Sequence, residues 1–235
     1  MGVTRDDVVA AAIDVLDDEG LDGLTLRRVA TRLGVQAPTL YWHVRNKREL
    51  LDLMAVQMLS AHPPPPEPAH GQPWWEWLGQ RAMAHRDALL AHRDGARVMA
   101  GNRPTEESWP RIEASLAALT AAGFPPAEAL RSLLAIAAFV IGWVLEEQSE
   151  AERPQESRLP PFSGDVPPWL DDTRFPHLAA AHVAMPNGQH RVFDHGLELL
   201  LEGLRRRHAL LNGLLLERGM RAGDETTLTS RGGDR

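Results

Sequence analysis

The 235-residue sequence contains no cysteine. That excludes a disulfide framework and a thiolate zinc site, and it suits a reducing compartment. Lysine is almost as scarce: Lys47 is the single lysine, and every other cation is arginine. The amino terminus, MGVTRDDVV, has no basic segment followed by an apolar run, so no signal peptide is expected. The longest apolar run, near 133–145, is interrupted by Gly142 and ends at Glu146 and Glu147. Taken alone it is too short to span a bilayer, and no membrane partner is expected. No HExxH, nucleophile elbow, phosphate loop or internal repeat is present. The ten histidines are scattered. His177 and His182 are five apart and do not share a helical face, whereas His195 and Glu198, three apart, could share a ligand. The expectation is therefore no catalytic residue and no metal site. A metal-assisted enzyme or a small-molecule carrier on a helical body stays open as the alternative, and turnover or failure to retard DNA would favour it.

What is there is ordinary in bulk and unusual in one place. Apolar residues make up 43% and charged residues 24%, as in globular proteins. The net charge of −7 argues against non-specific nucleic-acid binding, so any DNA contact must be local. Residues 25–48, TLRRVATRLGVQAPTLYWHVRNKR, hold Arg27, Arg28, Arg32, Arg45, Lys47 and Arg48 and no acid. Thr25 can cap a helix whose apolar positions are Leu26, Val29, Ala30 and Leu33. Gly34 stops it, because glycine enters the left-handed region cheaply. Pro38 then opens a second helix running through Thr39, Leu40, Tyr41, Trp42, His43 and Val44. Helix, short turn with glycine and helix is the layout in which the second helix enters the major groove. Its outer face would present Thr39, Tyr41 and His43, with Arg27 and Lys47 flanking it where phosphates lie.

GLTLRRVATRLGVQAPTLYWHVRNKRELLD resembles the DNA-binding head of the tetracycline-repressor family. RDGARVMAGNRPTEESWPRIEASLAALTAAGF and FVIGWVLEEQ resemble the ligand-binding core of the same repressors, and the likeness resumes weakly at FDHGLELLLEGL. The resemblance implies a cytoplasmic, homodimeric transcriptional repressor that binds a palindromic double-stranded operator and leaves it when a small-molecule inducer binds. It places DNA contact on Arg27, Pro38, Thr39, Tyr41, His43 and Lys47. Arg27 and Lys47 suit phosphates or guanine edges, and Pro38 and Thr39 suit a thymine methyl. Where the founding repressors carry a base-reading glutamine, this chain has Ala37, so the operator should differ at that base.

The same resemblance places ligand contact on Trp74, Arg81, His85, Met99, Asn102, Arg103, Pro104, Ser115, Phe139 and Glu146. Several of these depart from the repressors' pattern. Met99, a soft thioether that suits magnesium poorly, stands for the metal-binding histidine. Arg81 and His85 stand for an asparagine and a phenylalanine, Ser115 for a glutamine, and Ala138 and Pro63 for two further histidines. The expected inducer is aromatic or polyketide-like with an acidic or phenolic edge, bound without cofactor or obligatory metal. Magnesium arriving with the ligand, held by Glu146 through water, is the alternative.

Taken in order, residues 4–19 read as a helix capped by Thr4 and ended by Gly20. Its acidic far end (Asp14, Asp17, Asp18, Glu19, Asp22) should point away from DNA. With the two helices of the basic window it completes a three-helix head over 1–46. Asn46-Lys47-Arg48-Glu49 has the form of a capping box opening a connecting helix over 47–61. Pro63–Pro66 and Pro68 make a linker with no recognition role. Helices follow over about 74–92, 94–100, 105–122 and 126–151, the last apolar nearly all round, between a subunit interface and the ligand cavity. Residues 153–190 are proline-rich and irregular. Leucines at helical spacing over 192–217 make a second interface helix. Residues 47–218 thus form the ligand-binding and dimerisation domain, and 219–235 are expected to be a disordered tail. The fold class is all-α.

Overall fold

The structure, a computed structural model, describes residues 2–155, 165–185 and 188–230, with side chains described over 192–213 in the last stretch. Every regular element among these residues is helical. They are α1 (Arg5–Gly23), α2 (Leu26–Arg32), α3 (Ala37–Leu40), α4 (Lys47–Ala61), α5 (Trp74–Leu90), α6 (Gly95–Met99), α7 (Trp109–Ala121), α8 (Pro126–Ala151), α9 (Pro176–Ala184) and α10 (Gly188–Ser230). A single 3-10 turn, Glu106–Ser108, leads into α7.

The head is punctuated by its own sequence. The Thr4 hydroxyl accepts the Asp7 N–H at 3.2 Å while the Asp7 carboxylate accepts the Thr4 N–H at 2.8 Å, so two orphan donors are satisfied together. Helical geometry breaks at Gly20, whose φ of 74° a side chain would resist. The Thr25 side chain caps α2 by accepting the Arg28 N–H. Asn46 caps α4, accepting the Glu49 N–H at 2.9 Å. The Glu49 carboxylate, however, accepts the Arg45 N–H at 2.7 Å rather than that of Asn46, so the box closes one residue early.

The second helix of the basic window is shorter than expected. α3 is one turn, and the chain continues through Trp42 and His43 on i→i+3 bonds to Thr39 and Leu40. Three successive aromatic rings are poor helix formers, and Asn46 must already leave the helical region to cap α4. The head's core also reaches past residue 46. Leu50, Leu53, Met54 and Met58 of α4 pack with Leu16, Leu24, Val29 and Leu40, and Val98 of α6 joins them. A boundary at 46 therefore cuts this core, which a three-helix unit of such size could not complete alone.

In the body α5 packs chiefly on α8, with α6, α7 and α10 around them. Trp77, Leu78, Leu89, Leu119, Val140, Val144 and Phe193 are buried at its centre. Each such side chain contributes about 1.5–3 kcal/mol of burial. Three expectations are revised. The irregular stretch 153–190 contains α9, opened by Pro176 in its first turn, while 156–164 and 186–187 lie outside the described residues. The last helix runs to Ser230 rather than ending near 218, there being no proline from 188 onward to break it; 231–235 lie outside the described residues.

The third revision concerns α8. Its 26 residues are long and apolar enough, by length and composition alone, to cross a membrane, so the shortness of the 133–145 run does not carry over to the helix. Nor is α8 buried all round. Ala129, Ser132, Ile136, Val140 and Val144 face inward, while Leu134 is 60% exposed beside Ala135, Ala138 and Gly142. A matching stripe on α10 exposes Leu199, Gly203 and Leu210.

Candidate functional site

The six cations of the basic window are not equivalent. Arg28 pairs with Glu19, Arg32 with Asp18, Arg45 with Glu49 at 3.1 Å, and Arg48 with Asp52 at 3.4 Å. Arg27 has no acidic partner among the described residues. Lys47 has none either, and its ammonium donates only to the Leu21 carbonyl at 3.1 Å. The two cations without an acidic partner among the described residues are thus the two that flank the short α3. Around them Pro38 and Tyr41 are exposed, and Thr39 and His43 are half-buried. Trp42, which sequence reasoning passed over, is 88% exposed on the turn after α3. Its signal was the same run of aromatic residues.

The acidic end of α1 forms a joint with the body. Asp17 accepts from His92 and from the Arg93 N–H, both at 3.0 Å. Arg97 bridges Asp22 at 2.9 Å and Asp94 at 3.0 Å. Asp94, buried and at a φ of 57°, accepts the Leu21 N–H at 2.7 Å. On the other side Arg48 donates to the Gly101 carbonyl, and Asn102 to the Leu51 carbonyl at 3.3 Å. The segment 94–102, which holds α6, is therefore tied to both α1 and α4.

A cavity of about 350 Å³ lies between α4, α5, α7 and α8. Arg81, His85, Met99, Asn102, Pro104 and Ser115 line it, as expected. Four residues assigned to the ligand do not. Trp74, at the first residue of α5, turns into the core, its ring 4.8 Å from Phe124 and 5.4 Å from His208. Phe139 stacks on Phe193 at 5.3 Å. Arg103 is exposed, and only its backbone N–H points to Asp52, while Glu146 is exposed on α8. At 100° per residue, Phe139 and Glu146 fall opposite the stripe of Leu130, Leu133, Ala137 and Ile141 that faces the cavity.

The structure adds groups that were not expected. His62 and Pro64 line one side, so the proline linker is part of the wall. Its Pro65 carbonyl accepts from the Trp77 indole at 3.0 Å and from Arg81 at 3.1 Å. Arg111 also lines the cavity, one turn before Ser115 on α7, a position helical spacing from Ser115 would have found. A wider space of about 760 Å³ between α5 and α10 is an open groove along Trp75, Glu198 and Arg205 and encloses nothing.

Among the described residues the cavity wall holds no carboxylate. Among the described residues no three His, Asp or Glu side chains gather to hold a metal ion. Burial, reinforced by the neighbouring Arg111, lowers the Arg81 pKa to about 10. Burial also lowers Arg111. His85 is pushed down to about 4 by burial and then by Arg111 and Arg81, and its Nε2 is buried without a partner. Unfolded, this ring takes its proton near 6.5; folded, it waits until about 4. Between those values the unfolded chain binds more protons, so stability falls as the pH falls through that window. His85 alone should cost up to about 3 kcal/mol there. Urea unfolding across this range should show the loss, and His85→Phe should flatten it. The same slope in both proteins would mean that the ring titrates normally.

Comparison with known proteins covers both halves. Residues 8–54 match the family described as bacterial regulatory proteins, tetR family, and residues 67–208 match the tetracyclin repressor-like C-terminal domain. The chain is 38% identical over 201 residues to the class D tetracycline repressor of Escherichia coli, covering 86% of this chain and 88% of that one. It is similar to the crystal structure of TetR from Acinetobacter baumannii AYE, with 37% identity, a TM-score of 0.66 and coverage of 88% and 99%. It is also similar to ActR from Streptomyces coelicolor in complex with actinorhodin, with 30% identity, a TM-score of 0.72 and coverage of 86% and 95%.

Proposed function

The chain belongs to the tetracycline-repressor family of bacterial transcriptional regulators, and from that premise we propose that it represses transcription as a cytoplasmic homodimer on a palindromic operator, which a ligand in the α4–α5–α7–α8 cavity releases. It is a ligand-responsive regulator and not an enzyme. Arg27 and Lys47 hold phosphates, and Pro38, Thr39, Tyr41 and His43 face the bases. The exposed stripes of α8 and α10 meet their copies in the dimer.

The observation that carries this reading is the position of α6. Its Met99 lines the cavity, while Arg97 and the adjoining Asp94 hold the end of α1. A ligand that fits one setting of α6 better than another shifts the setting of the head, and by linkage the operator weakens the ligand equally. Gel retardation with DNA next to the protein's own gene, followed by footprinting, tests it. Two protected half-sites related by a dyad are expected. Retardation of no palindromic fragment would overturn it.

We take the inducer to bind without magnesium. The donors on the wall are guanidinium, imidazole, thioether, amide and hydroxyl, and a hard cation prefers carboxylate and carbonyl oxygen. Glu146, the one carboxylate that could have served, is on the wrong face of α8. Calorimetry with tetracycline should show no magnesium-dependent binding at submicromolar concentration. Such binding, with release of the operator, would sink the metal-free reading and leave the regulator reading standing.

A further inference from the structure

Three basic groups meet in the cavity, and no acid among the described residues neutralises them. Arg81 donates to the Ser115 hydroxyl at 2.7 Å and to the Pro65 carbonyl, both uncharged, and lies over the Trp77 ring at 5.0 Å. Arg111 has no acceptor among the described residues, and the buried His85 Nε2 has none. Among the described residues no Asp or Glu lines this wall. Elsewhere the fold does pair a half-buried arginine. Arg86, on the same helix as Arg81, meets both oxygens of Glu147 at 2.7 and 2.9 Å. Desolvated cations without a counter-charge are costly, so such a cluster is a site whose counter-ion comes from outside. The opposite wall is aliphatic, with Leu133 and Ile141 of α8, and gives inorganic anions nothing to replace their water.

We propose that the inducer is an amphipathic organic carboxylate, its anionic end held between Arg81 and Arg111 and its rigid apolar body against α8. This deepens the regulator reading above and rests on it. A guanidinium fork donates two parallel hydrogen bonds to a carboxylate. Neutral His85 can add a third from Nε2 in the tautomer that carries its proton there.

The test uses the full-length protein and two probes of one shape, anthraquinone-2-carboxylate and anthraquinone-2-carboxamide, titrated calorimetrically at pH 7.5. The acid should bind about tenfold to a hundredfold more tightly than the amide. Arg111→Met should weaken the acid far more than the amide and so erase most of that preference, and Arg111→Lys should restore part of it. Thermal melting confirms that each variant is folded. Equal affinity for the two probes, no binding of the acid at 1 mM, or an unchanged preference in Arg111→Met overturns the proposal. Operator retardation by the same preparations, with no probe added, is scored separately. Its failure would count against the regulator reading whatever the ratio of the probes.

Discussion

Leu210→Glu should sediment as a monomer, or not fold, and should lose its operator in either case. Leu210 is 68% exposed and Leu199 57% exposed on one stripe of α10, with Gly203 between them. The exposed α8 stripe of Leu134, Ala138 and Gly142 is likewise apolar, large at one end and small along the rest. Small residues let two helices approach closely, and the large ones fill the ends. In a twofold dimer each patch meets its own copy or its neighbour's, so one substitution puts two charges in the interface. An unpaired buried charge costs about 3–5 kcal/mol, and here the cost is incurred twice. Leu200, one residue from Leu199, is half-buried within its own subunit, so a charge there would test the fold of the chain rather than its pairing. Analytical ultracentrifugation at micromolar concentration decides between these. A folded wild-type monomer, or a Leu210→Glu protein that remains dimeric, would place the interface elsewhere.

Removing both unpaired head cations should weaken operator binding more than removing any paired ones. Arg27→Ala and Lys47→Ala should each lower the salt slope of log K by about one per subunit. Because a phosphate carries no sequence, Lys47→Ala should weaken all DNA alike. Arg45→Ala, by contrast, removes a cation that Glu49 already neutralises, and its slope should change less. Lys47 could instead serve as a cap on the Leu21 carbonyl at the end of α1. In that case the variant would lose thermal stability and keep its slope, so fluorescence anisotropy over a salt series, beside a melt, separates the two roles.

That sorting of cations could not be read from the sequence, where all six in the window look alike. The acids that neutralise Arg28 and Arg32, namely Glu19 and Asp18, sit on α1 and reach the window only once the head has folded. Signals confined to a few residues were legible: the Thr4 and Asn46 caps, the break at Gly20, and Gly34 after α2 with its φ of 68°. The cavity was half legible. Arg81, His85 and Ser115 followed from family resemblance, whereas Phe139 and Glu146 were misplaced. An apolar helix packed on several neighbours gives no local clue to which side faces a void. The one-turn length of α3 was hidden for a different reason. Its apolar pattern fits a full helix, and the bonds that replace the second turn are set by the need to cap α4.

The joint between α1 and α6 has a consequence for when the regulator responds. The ion pair of Arg97 with Asp22 and the hydrogen bond between His92 and Asp17 lie partly in water, where dissolved ions weaken the ion pair. The buried bond from Leu21 to Asp94 is shielded. Raising the salt concentration should therefore loosen two things together, the proposed hold of the head on phosphate and the joint between α1 and α6. The buried contact through Asp94 is the part of the joint that such a change in the medium should weaken least.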